Sequence, residues 1–169
     1  MLKKAVCIWI LGIILAYNAH ACSCITLDTT LRQEIRNTKL IFVGKVLKRE
    51  TVDFLIPMGW FAPDTFSKQK FYFEIMDCIK GNLPEKQQPF VFTGFGGGDC
   101  GFTFIEGNTY VVYAEINDKH YQSTPKVAPY VETNICTRTH LLENDLEIGY
   151  LKRMVKKYCF WNWLWGKII

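Results

Sequence analysis

The sequence predicts a mainly β fold: one small, closed antiparallel barrel with a helix at each end. Short apolar or alternating runs, separated by turn-forming residues, recur about five times through the middle of the chain, whereas helical periodicity occurs only near its two ends. Five short strands fit a closed barrel better than an open sandwich, which usually has more strands. The length of 169 residues suits a single domain.

The first predicted elements are a helix, a strand and a loop. Apolar residues spaced four apart predict a short helix over 27–36, and the β-rich run that follows predicts a strand over 40–49. Residues 53–67 hold two prolines, a glycine and several aromatic residues, which is typical of a loop. Such a loop serves either as a contact surface or as a lid on the core, and both interpretations stay open.

The second strand has the clearest pattern in the sequence. Between Phe71 and Ile79, apolar residues alternate with outward-facing ones, as in a strand with one buried face. Further strands are predicted over 89–93 and 109–115, with a fifth near 119–122 or 126–135.

The last predicted helix begins after Asn144, whose side chain is suited to cap it, with Glu147 at the reciprocal position of a capping box. Its basic residues lie mostly opposite an apolar face formed by Leu146, Tyr150, Leu151, Met154 and Val155.

The tail from Tyr158 to Ile169 is rich in tryptophan and follows the basic helix. Its aromatic residues beside lysines predict either peripheral contact with a membrane interface or a tail folded over the outside of the barrel.

The N-terminus has the features of a secretory signal. Lys3 and Lys4 precede an uncharged apolar run over 5–17, and Ala19-His20-Ala21 fits a cleavage site. The run is shorter than the roughly 20 residues that a spanning helix needs. A lipoprotein signal fits the residues before Cys22 poorly, so we expect simple cleavage there and export to the periplasm or the extracellular space.

Removal of residues 1–21 takes away two lysines and no acid, so the formal charge falls from +4 to +2. A charge this small argues against electrostatic capture of nucleic acid.

Six cysteines remain after cleavage, and an even number in an exported chain indicates disulfides before it indicates a metal site. Six cysteines allow fifteen pairings. Cys22 and Cys24 point to opposite sides of an extended backbone, so each must bond a distant partner, which makes the new terminus rigid. The remaining cysteines are Cys78, Cys100, Cys136 and Cys159.

Several motifs follow one another after the predicted signal peptide: Cys22-Ser23-Cys24, Ile41 to Val46, Phe73-Glu74-Ile75 with Lys80-Gly81, Cys100-Gly101, Gly107 to Ala114, and Cys136 to Thr139. In this order they resemble the tissue inhibitor of metalloproteinases family and its netrin-like module, as a single-domain, bacterial-type member. The resemblance covers residues 22–142 and implies a five-stranded OB-type Greek-key barrel there. The residues themselves predict the signal peptide over 1–21 and the C-terminal helix with its Trp-rich tail over 143–169.

The resemblance also implies disulfides and a mechanism. The implied pairs are Cys22–Cys100 and Cys24–Cys136. The α-amino nitrogen and carbonyl oxygen of Cys22 are expected to chelate the catalytic zinc of a target metalloprotease, while Ser23 enters the pocket beside the metal. Zinc is then shared with the target, and the chain needs no cofactor of its own. The alternative is a non-inhibitory, netrin-like protein-binding module of the cell envelope, which does not depend on the free amine.

A third bridge, Cys78–Cys159, is our own inference and not the family's. Cys78 shares the outward face of strand two, where a C-terminal helix has room to lie.

No enzyme signature is present in the sequence. The mature chain lacks the His-Glu-x-x-His motif of a zinc protease, and no serine lies in a nucleophile elbow. The segment Gly94 to Gly98 lacks the Gly-Lys-Ser/Thr of a phosphate loop, and we interpret it as a tight turn that brings backbone close to the bridge at Cys100.

Overall fold

A computed structural model describes Cys22, Cys24 and residues 30–56, 64–83, 89–117 and 130–165. The chain there is mainly β, with one helix before the sheet and one after it. The elements are α1 (Leu31–Asn37), β1 (Leu40–Ile56), β2 (Asp64–Lys80), β3 (Phe90–Thr93), a 3₁₀ turn (Gly97–Asp99), β4 (Thr109–Asn117), β5 (Tyr130–Glu132), β6 (His140–Leu141) and α2 (Asp145–Trp165).

Five of the strands form a closed ring. The hydrogen-bonded order is β1-β2-β3-β5-β4, and β4 pairs back to β1, while β6 adds to the far side of β4. The prediction of an all-antiparallel barrel is wrong at one pair, because β3 and β5 run parallel. The fifth strand lies inside the predicted range 126–135, and the alternative range 119–122 lies outside the described residues.

The interior of the ring is apolar and rich in aromatic residues. Alternation along β2 is confirmed: Phe71 and Phe73 are buried, and the exposed side chains of Glu74 and Met76 lie on the other face. The ring of Phe104 packs 5.0 Å from that of Phe71 and 5.2 Å from that of Phe73, between ring centroids. The buried members are Leu40, Phe42, Val46, Phe71, Phe73, Val91, Phe104, Tyr110, Val112, Ala114 and Val131.

Both helices cover the outside of the ring over a second buried cluster. Ile35 of α1 and Leu151 and Val155 of α2 pack there against outward side chains of β1, β2 and β4. A capping box formed by Thr30 and Gln33 begins α1. At its other end the Nζ of Lys80 donates to the carbonyl oxygens of Ile35 (2.6 Å) and Arg36 (3.1 Å). This ammonium satisfies carbonyls that a helix C-terminus leaves without partners.

The predicted apolar face of α2 is only partly correct. Leu151 and Val155 are buried and Met154 is half-buried, but Leu146 and Tyr150 are exposed, and Ile148 packs against the barrel in their place. Steps of three and four residues define more than one stripe on a helix, and the groove beside the barrel selects the stripe centred on Leu151.

The start of α2 is capped as predicted, with a different role for its acid. Asn144 Oδ1 accepts from the backbone N–H groups of Leu146 (3.0 Å) and Glu147 (3.3 Å). The carboxylate of Glu147 lies instead 2.8 Å from Nε2 of His140. Within the described residues, no helix is long and apolar enough to cross a bilayer.

The predicted loop over 53–67 is wrong at both ends. β1 continues to Ile56 and β2 begins at Asp64, so the two strands form a long hairpin that extends past the ring, and residues 57–63 lie outside the described part. The rings of Phe54 and Phe66 stack at 5.0 Å, and Phe54 also packs at 5.6 Å on Phe92 of β3. Contact with β3 therefore stabilises the two strands of this hairpin. The prolines in this part of the sequence had led us to predict a loop there.

Candidate functional site

Two disulfides fix the residues on either side of position 23. Cys22 is bonded to Cys100 (Cα–Cα 5.4 Å) and Cys24 to Cys136 (Cα–Cα 5.2 Å), the two pairs that the resemblance implied. The sulfur atoms of Cys22, Cys100 and Cys136 all lie within 4.8 Å of one another, so the bridges are neighbours. Ser23 lies outside the described residues.

The loop that carries Cys100 is organised around one carboxylate. Asp99 accepts hydrogen bonds from the backbone N–H groups of Phe95 (2.6 Å), Gly96 (2.8 Å) and Gly101 (3.1 Å). Cys100 itself has φ 57°, in the left-handed region that a non-glycine residue adopts only when its surroundings impose it. Desolvation raises the pKa of Asp99, but the hydrogen bonds from the backbone N–H groups together lower it by more. The net pKa of Asp99 is therefore below its ordinary value.

This carboxylate gives a pH-dependent prediction. A group whose pKa is lowered by folding adds stability above its unfolded pKa of about 3.9, and the contribution disappears as the pH falls through the folded value. We expect Asp99→Ala to flatten the loss of stability between neutral and strongly acidic pH, measured as the urea midpoint at a series of pH values. Glu143→Ala, which removes an exposed carboxylate elsewhere, is the matched control. Identical pH profiles for Asp99→Ala and the unmodified chain would contradict this role.

Two glycines make the close approach in this loop possible. A Cβ on Gly101 would collide with the backbone of Gly94, and a Cβ on Gly94 would collide with the carboxylate of Asp99. The expected tight turn is therefore present, and the backbone approaches the neighbouring loop backbone and this acid.

The effect of Gly101→Ala should be large and opposite to that of a second glycine substitution. We expect Gly101→Ala to lower the free energy of unfolding by about 2 kcal/mol or more, since backbone must move to admit the methyl group. Gly149, inside α2, has nothing within 4 Å of such a methyl group. Gly149→Ala should therefore raise stability by about 0.5–1 kcal/mol. Urea unfolding of both variants measures these two changes in the free energy of unfolding. Equal changes in the two variants would contradict the argument from packing.

The loop that carries Cys136 is held by a buried cluster of threonines. The hydroxyls of Thr133, Thr137 and Thr139 lie 2.9 Å from one another. Those of Thr133 and Thr139 also donate to the carbonyl oxygen of Tyr113, at 2.8 and 3.1 Å. Burial raises the pKa of Tyr113 to about 12, and the charge of Glu147 adds to the effect. The sequence analysis missed this cluster, and three threonines within seven residues were its only signal.

The two loops are joined directly. The N–H of Ile135 donates to the carbonyl oxygen of Cys100 at 3.0 Å, so the segments that hold both bridges form one unit. The side chains of Phe95 and Ile135 flank this unit and are exposed.

The sulfur atoms of the site are not available as metal ligands, because a cysteine binds metal as a thiolate and these four are in disulfides. In a chain cleaved before Cys22, as the sequence predicts, the donors that Cys22 would retain are its α-amino nitrogen and its carbonyl oxygen. A free α-amine titrates near pH 8, so a substantial fraction is unprotonated at neutral pH. Nitrogen and oxygen donors bind zinc at about 2.0–2.2 Å.

Cys78 is a free, exposed thiol, so the inferred Cys78–Cys159 bridge is not formed; the side chain of Cys159 lies outside the described residues. The Sγ of Cys78 lies 3.3 Å from the carbonyl oxygen of Gly81. Partial burial raises the pKa of this thiol, and the adjacent charge of Asp77 adds to it. The protonated thiol is a poor nucleophile for disulfide formation. α2 does lie beside this end of β2, since Lys152 forms an ion pair with Asp77.

Comparison with models of known protein families gives no match, and comparison with curated proteins gives no significant match.

Proposed function

We propose that the chain is an exported inhibitor of zinc metalloproteases that acts through the free α-amino and carbonyl groups of Cys22. The observation that carries the proposal is the double tether. Residues 22 and 24 are each bonded to a separate loop, and a main-chain hydrogen bond joins those loops. A terminus held in this way loses little conformational entropy when it docks, so most of its interaction energy remains available for binding.

The chemistry follows from the open position of a catalytic zinc. Such a metal has three protein ligands and one exchangeable water. In the proposed complex, the amine and the carbonyl oxygen of Cys22 replace that water at the target's zinc. Ser23 then occupies the adjacent substrate pocket, and the exposed Phe95 and Ile135 contact the rim. The zinc belongs to the target, and the chain contributes donors that its disulfides hold in place.

The same proposal includes the finer class of the barrel. We assign the ring to the OB-type Greek-key fold of the netrin-like module. The strand order β1-β2-β3-β5-β4 with closure onto β1, together with the parallel pair β3–β5, supports this assignment.

The test is a titration of the chain, secreted with its own leader, against a panel of zinc metalloproteases from several families. Intact mass first establishes that the chain begins at Cys22. We expect stoichiometric inhibition of at least one member, with an equivalence point at one to one, and none of a serine protease with the same peptide substrate. Failure across the panel would favour the non-inhibitory binding module, for which the exposed Phe95 and Ile135 provide a surface that does not need the amine.

A further inference from the structure

The outward face of α2 carries two exposed apolar side chains, where a helix packed on a barrel would ordinarily be polar. Leu146 has 83% of its surface exposed and Tyr150 has 46%, and the two lie one helical turn apart. Leu151 and Val155 pack against the barrel on the other side. The helix therefore exposes a pair of apolar side chains, which the described part of the chain does not cover.

Charge is distributed unevenly between this helix and the barrel. Residues 145–169 contain five lysines and arginines against Asp145 and Glu147 in the first turn of α2, so their formal charge is +3, whereas residues 22–144 carry −1. Arg153 and Lys156 are exposed, whereas Lys152 is paired with Asp77. An anionic surface would attract the C-terminal segment and repel the barrel, so it would orient the molecule with α2 towards that surface.

We propose that α2 binds an anionic lipid membrane along its outward face, through Leu146, Tyr150, Arg153 and Lys156. Exposed apolar and basic side chains on one helix are typical of helices that lie in a membrane interface. Each lysine or arginine near an anionic bilayer strengthens binding about 5-fold. The helix continues to Trp165, through a sequence that contains Trp161 and Trp163. This membrane contact is independent of inhibition and would keep the protein at a lipid surface.

The test is flotation of the mature chain with phosphatidylcholine vesicles, with and without phosphatidylglycerol, at low and high salt. We expect binding to the anionic vesicles that weakens as salt rises. The double variant Arg153→Gln/Lys156→Gln should bind about 25-fold more weakly, from two 5-fold steps. Its matched control, Lys45→Gln/Arg49→Gln, makes the same charge change on exposed residues of β1 and should bind like the unmodified chain.

Apolar contact is tested separately. Leu146→Ser/Tyr150→Ser should weaken binding several-fold, whereas Leu47→Ser, at an exposed position on β1, should not. Circular dichroism and thiol titration show that each variant keeps its fold and disulfides. Three results would overturn the proposal: equal binding to neutral and anionic vesicles, retention of binding by both α2 variants, or no binding together with a lipid-free dimer that Leu146→Ser/Tyr150→Ser dissociates. The last result would assign the face to a second copy of the chain.

Discussion

Addition of one alanine before Cys22 is expected to abolish inhibition without changing the fold. The extra residue converts the α-amine into a peptide nitrogen, which does not donate a lone pair to zinc. Changes that only reorient a ligand from outside the coordination sphere lower metal affinity about 10- to 100-fold. Removal of a donor should therefore raise the inhibition constant more than about 100-fold, measured by progress curves with the most sensitive protease of the panel.

The matched control for this variant carries the same alanine after Ile169. It should inhibit as the unmodified chain does, and all three proteins should unfold at the same temperature because both bridges still form. Equal inhibition by the N-terminally extended and unmodified chains would exclude amine chelation, and would assign any inhibition to other contacts with the target, such as those of Ser23, Phe95 and Ile135.

Serine at both Cys24 and Cys136 should produce the largest loss of stability. This bridge joins residues 112 positions apart, and closure of a loop of that size restricts the unfolded chain by about 4–5 kcal/mol in the chain-entropy model. We expect a decrease of this order in the free energy of unfolding in urea. We also expect weaker inhibition, since only the Cys22–Cys100 bridge then anchors the terminus, which loses more entropy on docking.

Cys78→Ser is the control for this pair, because Cys78 is a free thiol at the surface. It should leave both the urea midpoint and the inhibition constant unchanged. If the Cys24→Ser/Cys136→Ser protein, measured where it remains folded, inhibits as strongly as the unmodified chain, the double tether does not organise the terminus and the argument from preorganisation is wrong.

Local pattern was sufficient to predict the elements whose burial alternates with a fixed period. Phe71 and Phe73 point inward as expected because β2 has one face against the barrel interior. The stripe that contains Ile35 was also correct, within a helix that the structure describes from Leu31. Both cysteine pairs were implied by the resemblance to a known family, since the sequence alone left fifteen pairings open.

Features that depend on distant neighbours could not be predicted in this way. The two strands of the hairpin are stabilised by Phe92, which is about forty residues from Phe54 in the sequence. Because this contact is not visible locally, the prolines between the strands led to the prediction of a loop. The stripe of α2 that is buried depends on the groove beside the barrel, and not on the helix alone. Asp99 binds N–H groups that converge only when the loop is folded, and no spacing rule identifies that arrangement.

The central claim is that the amine nitrogen of Cys22 binds the metal of the target. The most direct measurement is magnetic resonance of a complex between a cadmium-substituted target protease and the chain labelled with a magnetic nitrogen isotope. We expect a one-bond coupling between cadmium and the amine nitrogen of Cys22, absent when one alanine precedes that residue. A stable, inhibited complex that shows no such coupling would contradict chelation by this amine.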